Sequence, residues 1–281
     1  MAGKILIVDD VATNRIVLKV KLASAHYETI QAATGADAIL LCREQRPDLV
    51  LLDMALPDMA GIAVCQALKG DPTARDIPVV MISACCDPAQ RLNALRAGAE
   101  DVYCKPIDEL VLLARVRSLL RSRETEGHLG LRDDTYRELG FAEPATAFTG
   151  PALIGLVAGQ VELALQWKRQ LQPYVQDRLL VLDRDAALSE LSDGGVPDVF
   201  VVAGDIGRPG DGLRFLSELQ SRQATRHSAI CLVLPAAARE TAATALDLGA
   251  GEVIADSATP EEMALRIACQ LRAKQYADRL R

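Results

Sequence analysis

The sequence predicts an α/β protein built from two doubly wound, five-stranded parallel sheets in tandem. Three observations predict it. Short apolar runs alternate with helix-like stretches from Lys4 to Arg121. The runs are too short for typical helices and suit strands buried on both faces. The pattern then repeats: Pro197-Asp198-Val199-Phe200-Val201-Val202 echoes Pro47-Asp48-Leu49-Val50-Leu51-Leu52. At 281 residues the chain has the length of two ordinary domains.

Lys4-Ile5-Leu6-Ile7-Val8 is the first strand and ends in Asp9-Asp10. Ile16, Val17, Val20 and Leu22 suggest a helix after it. A modest strand covers Tyr27 to Ala32, and a helix runs from Gly35 to Gln45. Asp48-Leu49-Val50-Leu51-Leu52-Asp53 is the central strand, followed by a turn rich in Pro, Asp and Gly. Val64, Cys65 and Leu68 mark the next helical face. Pro78-Val79-Val80-Met81-Ile82 is a fourth strand, ended by Ser83. The helix from Ala89 to Ala97 stops at Gly98, a residue suited to the left-handed position after a helix. Asp101-Val102-Tyr103-Cys104 is a fifth strand, ended by Lys105-Pro106, and a helix from Asp108 to Arg121 closes the unit.

Asp9, Asp10, Asp53, Ser83 and Lys105 all fall at carboxyl ends of strands. Right-handed crossovers bring those ends to one edge of the sheet, where open α/β sheets place their chemistry. Three carboxylates close together invite a hard divalent cation with oxygen ligands, Mg²⁺ above all. A Lys adds a compact positive charge and a Ser hydroxyl can bond a phosphoryl oxygen. The chemistry implied is phosphoryl transfer onto a carboxylate.

These residues resemble the receiver domain of two-component response regulators, with a flavodoxin-like (CheY-like) fold. The matching features are Asp9-Asp10, Asp53 in Leu-Leu-Asp-Met-x-Leu-Pro-x-Met-x-Gly, Ser83, and Lys105-Pro106. The resemblance implies that Asp53 accepts phosphate from a histidine kinase or histidine phosphotransfer protein. It implies Mg²⁺ on Asp10, Asp53 and the backbone carbonyl of Ala55, with Asp9 helping through water. Lys105 would neutralise the phosphoryl group, Ser83 would move toward it, and Tyr103 would follow as the switch aromatic.

Residues 123–150 are polar and broken by Gly and Pro, and read as a linker with His128 as a solvated loop residue. From 151 the scaffold repeats: Ala152–Ala158, Arg178–Leu182, Pro197–Val202, Ala229–Val233 and Glu252–Ile254 match the five strands. The chemistry does not repeat. Gly159-Gln160 stand for Asp9-Asp10, Ala203 for Asp53, Leu234 for Ser83 and Asp256 for Lys105. Asp205, Asp183 and Asp185 read as turn residues, with Asp205 a remote alternative acceptor. The expected domains are a phosphoacceptor receiver at 1–122, the linker, a degenerate adaptor at 151–272 and a helical extension at 273–281. This order resembles diguanylate cyclase response regulators of the PleD type. Their Gly-Gly-Asp/Glu-Glu-Phe signature is missing here, so the chain is expected not to be an enzyme but to signal by contact as a phosphorylation-dependent homodimer, or to feed an output domain beyond its end.

Composition narrows the alternatives. The net charge is −7 and the pI about 5.1, with no basic stripe, so no direct nucleic-acid partner is expected. No stretch is apolar for long enough to span a bilayer and no signal peptide is evident, which points to the cytoplasm without a membrane partner. The seven cysteines form no zinc-like spacing and read as reduced small hydrophobes. A haloacid-dehalogenase-type Mg²⁺-dependent phosphatase is the alternative enzyme. It wants a second Asp two residues past the nucleophile, where Ala55 stands. A flavin mononucleotide binder wants a Ser/Thr/Gly-rich loop after the first strand, where Asp9-Asp10 stand.

Overall fold

The computed structural model describes residues 3–85, 87–138, 151–188 and 195–279, with the backbone alone for 125–138. Cys86, residues 139–150 of the expected linker, the His128 side chain and Leu280 lie outside the described residues. The chain divides into two compact units, Met1–Leu120 and Arg121–Arg281.

The first unit follows β1 (Lys4–Val8), α1 (Ala12–Ser24), β2 (Glu28–Ala32), α2 (Gly35–Gln45), β3 (Leu49–Asp53), α3 (Gly61–Gly70), β4 (Val79–Ser83), α4 (Pro88–Arg96), β5 (Asp101–Cys104) and the first part of α5 (Glu109–Glu138), which continues past Leu120. The strands are all parallel, in the order β2-β1-β3-β4-β5. Pleating splits their side chains between two cores. Leu6, Val8, Val50, Leu52, Val79 and Met81 meet Val64, Cys65 and Leu68 of α3 on one face. Ile5, Ile7, Leu49, Leu51, Val80 and Ile82 meet Leu18 and Leu22 of α1 and Leu112 and Val116 of α5 on the other. Both faces are covered, so β1 and β3 carry no alternation. Each fully buried Leu, Ile or Val there contributes about 1.5–3 kcal/mol.

Two sequence expectations change in this unit. The helix after β1 exists, but Ile16, Val17 and Val20 are exposed and Leu18 and Leu22 are the residues it buries. The apolar residues surround α1, so spacing alone pointed to a helix without identifying its buried side. Cys104 is disulfide-bonded, contrary to the expectation of uniformly reduced cysteines, while Cys42, Cys65, Cys85, Cys231 and Cys269 are free. Pairing depends on which sulfurs meet in space, which spacing along the chain does not encode.

The second unit repeats the topology with β6 (Leu153–Val157), α6 (Val161–Leu171), β7 (Arg178–Leu182), α7 (Arg184–Leu188), β8 (Val199–Ala203), α8 (Asp211–Ser221), β9 (Ala229–Leu234), α9 (Arg239–Asp247), β10 (Glu252–Ala255) and α10 (Pro260–Arg279). Its parallel order is β7-β6-β8-β9-β10, the same arrangement as in the first unit. α5 runs across the expected 122/123 border and α10 across 272/273.

Equivalent contacts explain the repeated sequence echoes. The Asp48 carboxylate accepts the Lys4 N–H at 2.8 Å, and the Asp198 carboxylate accepts the Leu153 N–H at 2.9 Å. Each Pro-Asp pair thus pins the start of the first strand beside the third. Gly98 and Gly249 both have φ of 99°, which a glycine adopts without strain. Arg115 pairs with Asp101, and Arg266 with Glu252, each Arg reaching from the last helix to the start of the fifth strand.

Candidate functional site

The site is the carboxyl edge of the first sheet. Parallel strands with crossovers on both faces set the ends of β1, β3, β4 and β5 side by side. Asp9 follows β1, Asp53 ends β3, Ser83 ends β4, and Lys105 follows β5. The Lys105 Nζ donates to Asp9 Oδ2 at 2.9 Å and also to Asp53 Oδ2. Residues separated by most of the domain therefore meet around one ammonium. Asp9, Asp53 and Ser83 are buried.

Each carboxylate is held by its own surroundings. Asp9 accepts the Val11 N–H at 2.9 Å and the Asn14 side-chain amide at 3.0 and 3.1 Å. Burial pushes the Asp9 carboxyl upward, but its bonds with Lys105, Asp53, Val11 and Asn14 outweigh burial and hold it below the usual carboxylate range. Asp53 accepts the Ala55 N–H at 2.9 Å. For Asp53 burial wins over Ala55 and Lys105, and its carboxyl sits above the usual range. Lys105 gains more from the two carboxylates than burial takes away, so its ammonium is held above its ordinary value.

The remaining expected residues lie in different settings. Asp10 is exposed, while its neighbour Asp9 closes on Asp53. Among the described residues there is no cluster of three or more carboxylate, His or Cys side chains already arranged to hold a metal. The Val11 N–H and the Asn14 amide hold the Asp9 carboxylate in its buried position. Ser83 is turned onto its own loop, donating to the Cys85 carbonyl at 2.6 Å and accepting the Cys85 N–H at 3.1 Å. Tyr103 is partly buried against the Leu49–Leu51–Ile82 core. Ala55 forms an antiparallel bridge with Ala60, which closes the loop after β3 at its root. The Lys105–Pro106 peptide is cis.

Spacing alone did not reveal two further residues. Asn14 and Arg15 lie one turn beyond the acidic pair; Arg15 Nη1 donates to the carbonyls of Asp9 and Asp10 at 2.7 and 3.0 Å. The polar run Thr13-Asn14-Arg15 at the start of the helix was the available signal. Gly61 has no side chain because a Cβ there would lie 2.2 Å from the Asp53 carbonyl oxygen.

The donors at this edge suit a hard cation. The groups that meet around Lys105 offer carboxylate oxygens, and the raised Asp53 carboxyl is a group that a divalent charge would help to ionise.

The same edge of the second unit is built without those groups. The strand register places Ala158-Gly159, one residue earlier than the sequence alignment suggested, in the positions of Asp9-Asp10. The backbone registers give Ala203, Leu234 and Asp256 the positions that Asp53, Ser83 and Lys105 hold in the first unit. A Cβ on Gly159 would lie 2.9 Å from the backbone of Ile206, so the loop after β8 packs against this turn. Leu234 lies over Gly204, whose Cβ would meet its Cδ2 at 2.5 Å. Asp205 accepts the Gly210 N–H at 3.0 Å within its own turn, and Asp183 accepts the Ala186 N–H at 2.7 Å at the start of α7. The Gly61 contact is nonetheless kept: a Cβ on Gly212 would lie 2.6 Å from the Ala203 carbonyl oxygen.

Comparison with known proteins agrees with this geometry. Residues 5–117 match the family model described as response regulator receiver domain. The chain is 34% identical to response regulator PleD of Caulobacter vibrioides over 285 aligned residues, covering all of this chain and 62% of PleD. It is 40% identical over 126 residues to the DNA-binding response regulator MtrA of Mycolicibacterium paratuberculosis, covering 45% of this chain and 55% of that protein. A solved signal receiver domain of a signal transduction histidine kinase from Syntrophus aciditrophicus is 38% identical, with a TM-score of 0.41 over 43% of this chain and 91% of that one.

The match to PleD corrects one expectation. A non-enzymatic protein was expected because the cyclase signature is missing from the sequence. Response regulator PleD of Caulobacter vibrioides matches this chain throughout, and the chain spans only 62% of its length. A signature missing from that span is no ground for excluding an enzyme. Five parallel strands, an acidic residue buried at the end of the third and a lysine reaching it from the fifth agree with the family match: residues 5–117 belong to the response regulator receiver domains of two-component signal transduction.

Proposed function

We propose that Asp53 is the phosphoacceptor of a two-component signalling module and takes its phosphoryl group from a histidine kinase or histidine phosphotransfer protein. The observation that carries this reading is the Lys105 ammonium bonded to both Asp9 and Asp53 at the carboxyl edge of the sheet. An Asp53 oxygen attacks phosphorus in line, the bond from phosphorus to the donor nitrogen breaks, and the imidazole leaves. The Ala55 N–H fixes one Asp53 oxygen and leaves the other to attack. Lys105 balances the charge that builds on the phosphoryl oxygens.

Asp9, Asp10, Asp53 and the Ala55 carbonyl would hold Mg²⁺. When bound, Mg²⁺ supplies positive charge that favours ionised Asp53 and neutralises phosphoryl oxygens. Lys105 then turns from the carboxylates toward the phosphate. Ser83 exchanges its bonds to Cys85 for a phosphoryl oxygen, and Tyr103 follows it inward. A coupling of about 1–3 kcal/mol between this rearrangement and a homodimer contact makes a usable switch.

The second unit is proposed as an unphosphorylated adaptor, because Ala203 and Leu234 cannot accept or bind a phosphoryl group. The proposed organisation is a phosphoacceptor domain at 1–122, a connection at 123–150, an adaptor at 151–272 and a helical extension at 273–281. An output domain beyond the extension and a cytoplasmic location complete the proposal. Among the described residues no helix is long and apolar enough to cross a membrane. The test is incubation with Mg²⁺ and acetyl phosphate. Wild type gains a phosphoryl group and Asp53→Asn does not; equal labelling of both, or of neither, overturns the proposal.

A further inference from the structure

We infer that Asp58 is a positioning residue for the acceptor, clamping the loop between β3 and α3 to the start of α2. This rests on the reading of Asp53 as phosphoacceptor. The loop from Met54 to Ala60 carries the backbone that orients Asp53. Its root is closed by the Ala55–Ala60 bridge and by the Gly61 N–H donating to the Met54 carbonyl at 2.9 Å. Its tip is closed by Asp58, whose Oδ1 accepts the Gly35 N–H at 2.8 Å and whose Oδ2 accepts the Ala36 N–H at 2.9 Å.

Each carboxylate oxygen thus takes one of the two outermost donors of α2, a charge-assisted pair at the positive end of a helix. Thr34, the residue that begins the helix, is occupied elsewhere: its hydroxyl accepts the Asp37 N–H at 3.1 Å. The helix therefore has a cap of its own, and Asp58 adds one from a separate part of the chain. A second contact fixes the same junction. A Cβ on Gly35 would lie 2.6 Å from Met59 Cγ, so Met59 packs directly on the first residue of α2.

The second unit shows the contrast. Its corresponding loop is closed on itself, with Asp205 accepting the Gly210 N–H and Asp211 accepting the Arg208 N–H at 3.0 Å each. In the unit with an acceptor the loop carboxylate reaches the start of a neighbouring helix, whereas the Asp205 and Asp211 carboxylates bond within their own loop. With both ends fixed, Ala55 has little freedom, and its N–H keeps the Asp53 carboxylate in one orientation. An acceptor that is free to rotate reacts more slowly because fewer encounters are aligned.

The experiment compares wild type, Asp58→Ala, Asp58→Asn and Thr34→Ala as full chains. Backbone amide exchange at Ala55 and Gly61 is measured without metal, and the rate of Asp53 phosphorylation by acetyl phosphate is measured with Mg²⁺. Asp58→Ala is expected to speed exchange at both amides and to slow phosphorylation about fivefold, the low end of ordinary site-to-site coupling. Asp58→Asn, which keeps one acceptor oxygen, falls between. Thr34→Ala weakens the helix start without touching the loop and leaves both readouts near wild type. Unchanged exchange and rate in Asp58→Ala, or equal changes in Thr34→Ala, overturn the inference. Absence of an Asp53 adduct in wild type itself overturns the acceptor reading, and the inference falls with it.

Discussion

Replacing Lys105 with Met removes the cation bonded to both buried carboxylates while keeping most of the side-chain length. Removing one member of a fully buried ion pair costs about 3–5 kcal/mol, because the partner charge stays buried and uncompensated. The Lys105 side chain is 28% exposed, against 2% for Asp9 and 8% for Asp53, so solvent reaches one end of the contact. The expected loss is therefore about 2–3 kcal/mol at pH 7. Asp9 is held below its ordinary value of 3.8, so its contribution is present above that value and lost as pH falls through its folded pKa. Lys105 is held above its ordinary value of 10.5, so its contribution is present below that value and lost as pH rises through its folded pKa. The wild-type advantage is thus a plateau between the two titrations. Urea unfolding followed by pulse-labelled amide exchange on the Leu49–Asp53 strand should show the midpoint lowered by about 1–2 M at pH 7. The difference should shrink as the carboxylates take up protons. A variant as stable as wild type at pH 7, or one whose deficit persists at low pH, would refute the reasoning.

Other expectations follow from the same geometry. Asp53→Asn removes a carboxyl that burial holds above its ordinary value of 3.8, whose contribution is present below that value and lost as pH rises through its folded pKa; the variant should gain stability over wild type as pH rises from that value to 7, by about 1 kcal/mol in a thermal melt. Gly61→Ala and Gly212→Ala each force a Cβ onto backbone, so each should destabilise its own unit by about 3 kcal/mol or more, read by amide exchange in β3 and β8. Arg266→Leu strips Glu252 and Glu262 of their buried partner and should cost about 3–5 kcal/mol in denaturant unfolding. Millimolar Mg²⁺ should restore more stability to Lys105→Met than it adds to wild type, and chelation should reverse it.

Much of this was legible in the sequence because the scaffold rests on local patterns. Leu49-Val50-Leu51-Leu52 is apolar throughout because both faces of β3 are covered, and Asp53 stands out as the polar residue that ends it. Pro47-Asp48 and Pro197-Asp198 recur because each Asp pins a strand start. What stayed hidden depends on meetings between distant segments. Asp9 and Asp10 are chemically alike, and the buried one is the one that the Val11 N–H and the Asn14 amide hold. Ile16 and Leu18 are equally apolar, and only packing against β1 and α5 separates them. In β6, Gly155 is explained by Phe200, which sits beside it in the register and fills the space that a larger residue would need. The clamp made by Asp58 joins a loop to the start of a helix more than twenty residues earlier in the chain, so no local spacing announces it.

The central claim is that the first unit carries a phosphoacceptor and the second does not. The most direct measurement is peptide mapping of the full chain after saturation with acetyl phosphate and Mg²⁺. The account predicts one phosphoryl group per chain, confined to the peptide that contains Asp53. A phosphoryl group on the peptide containing Asp205, or none on Asp53, would contradict it.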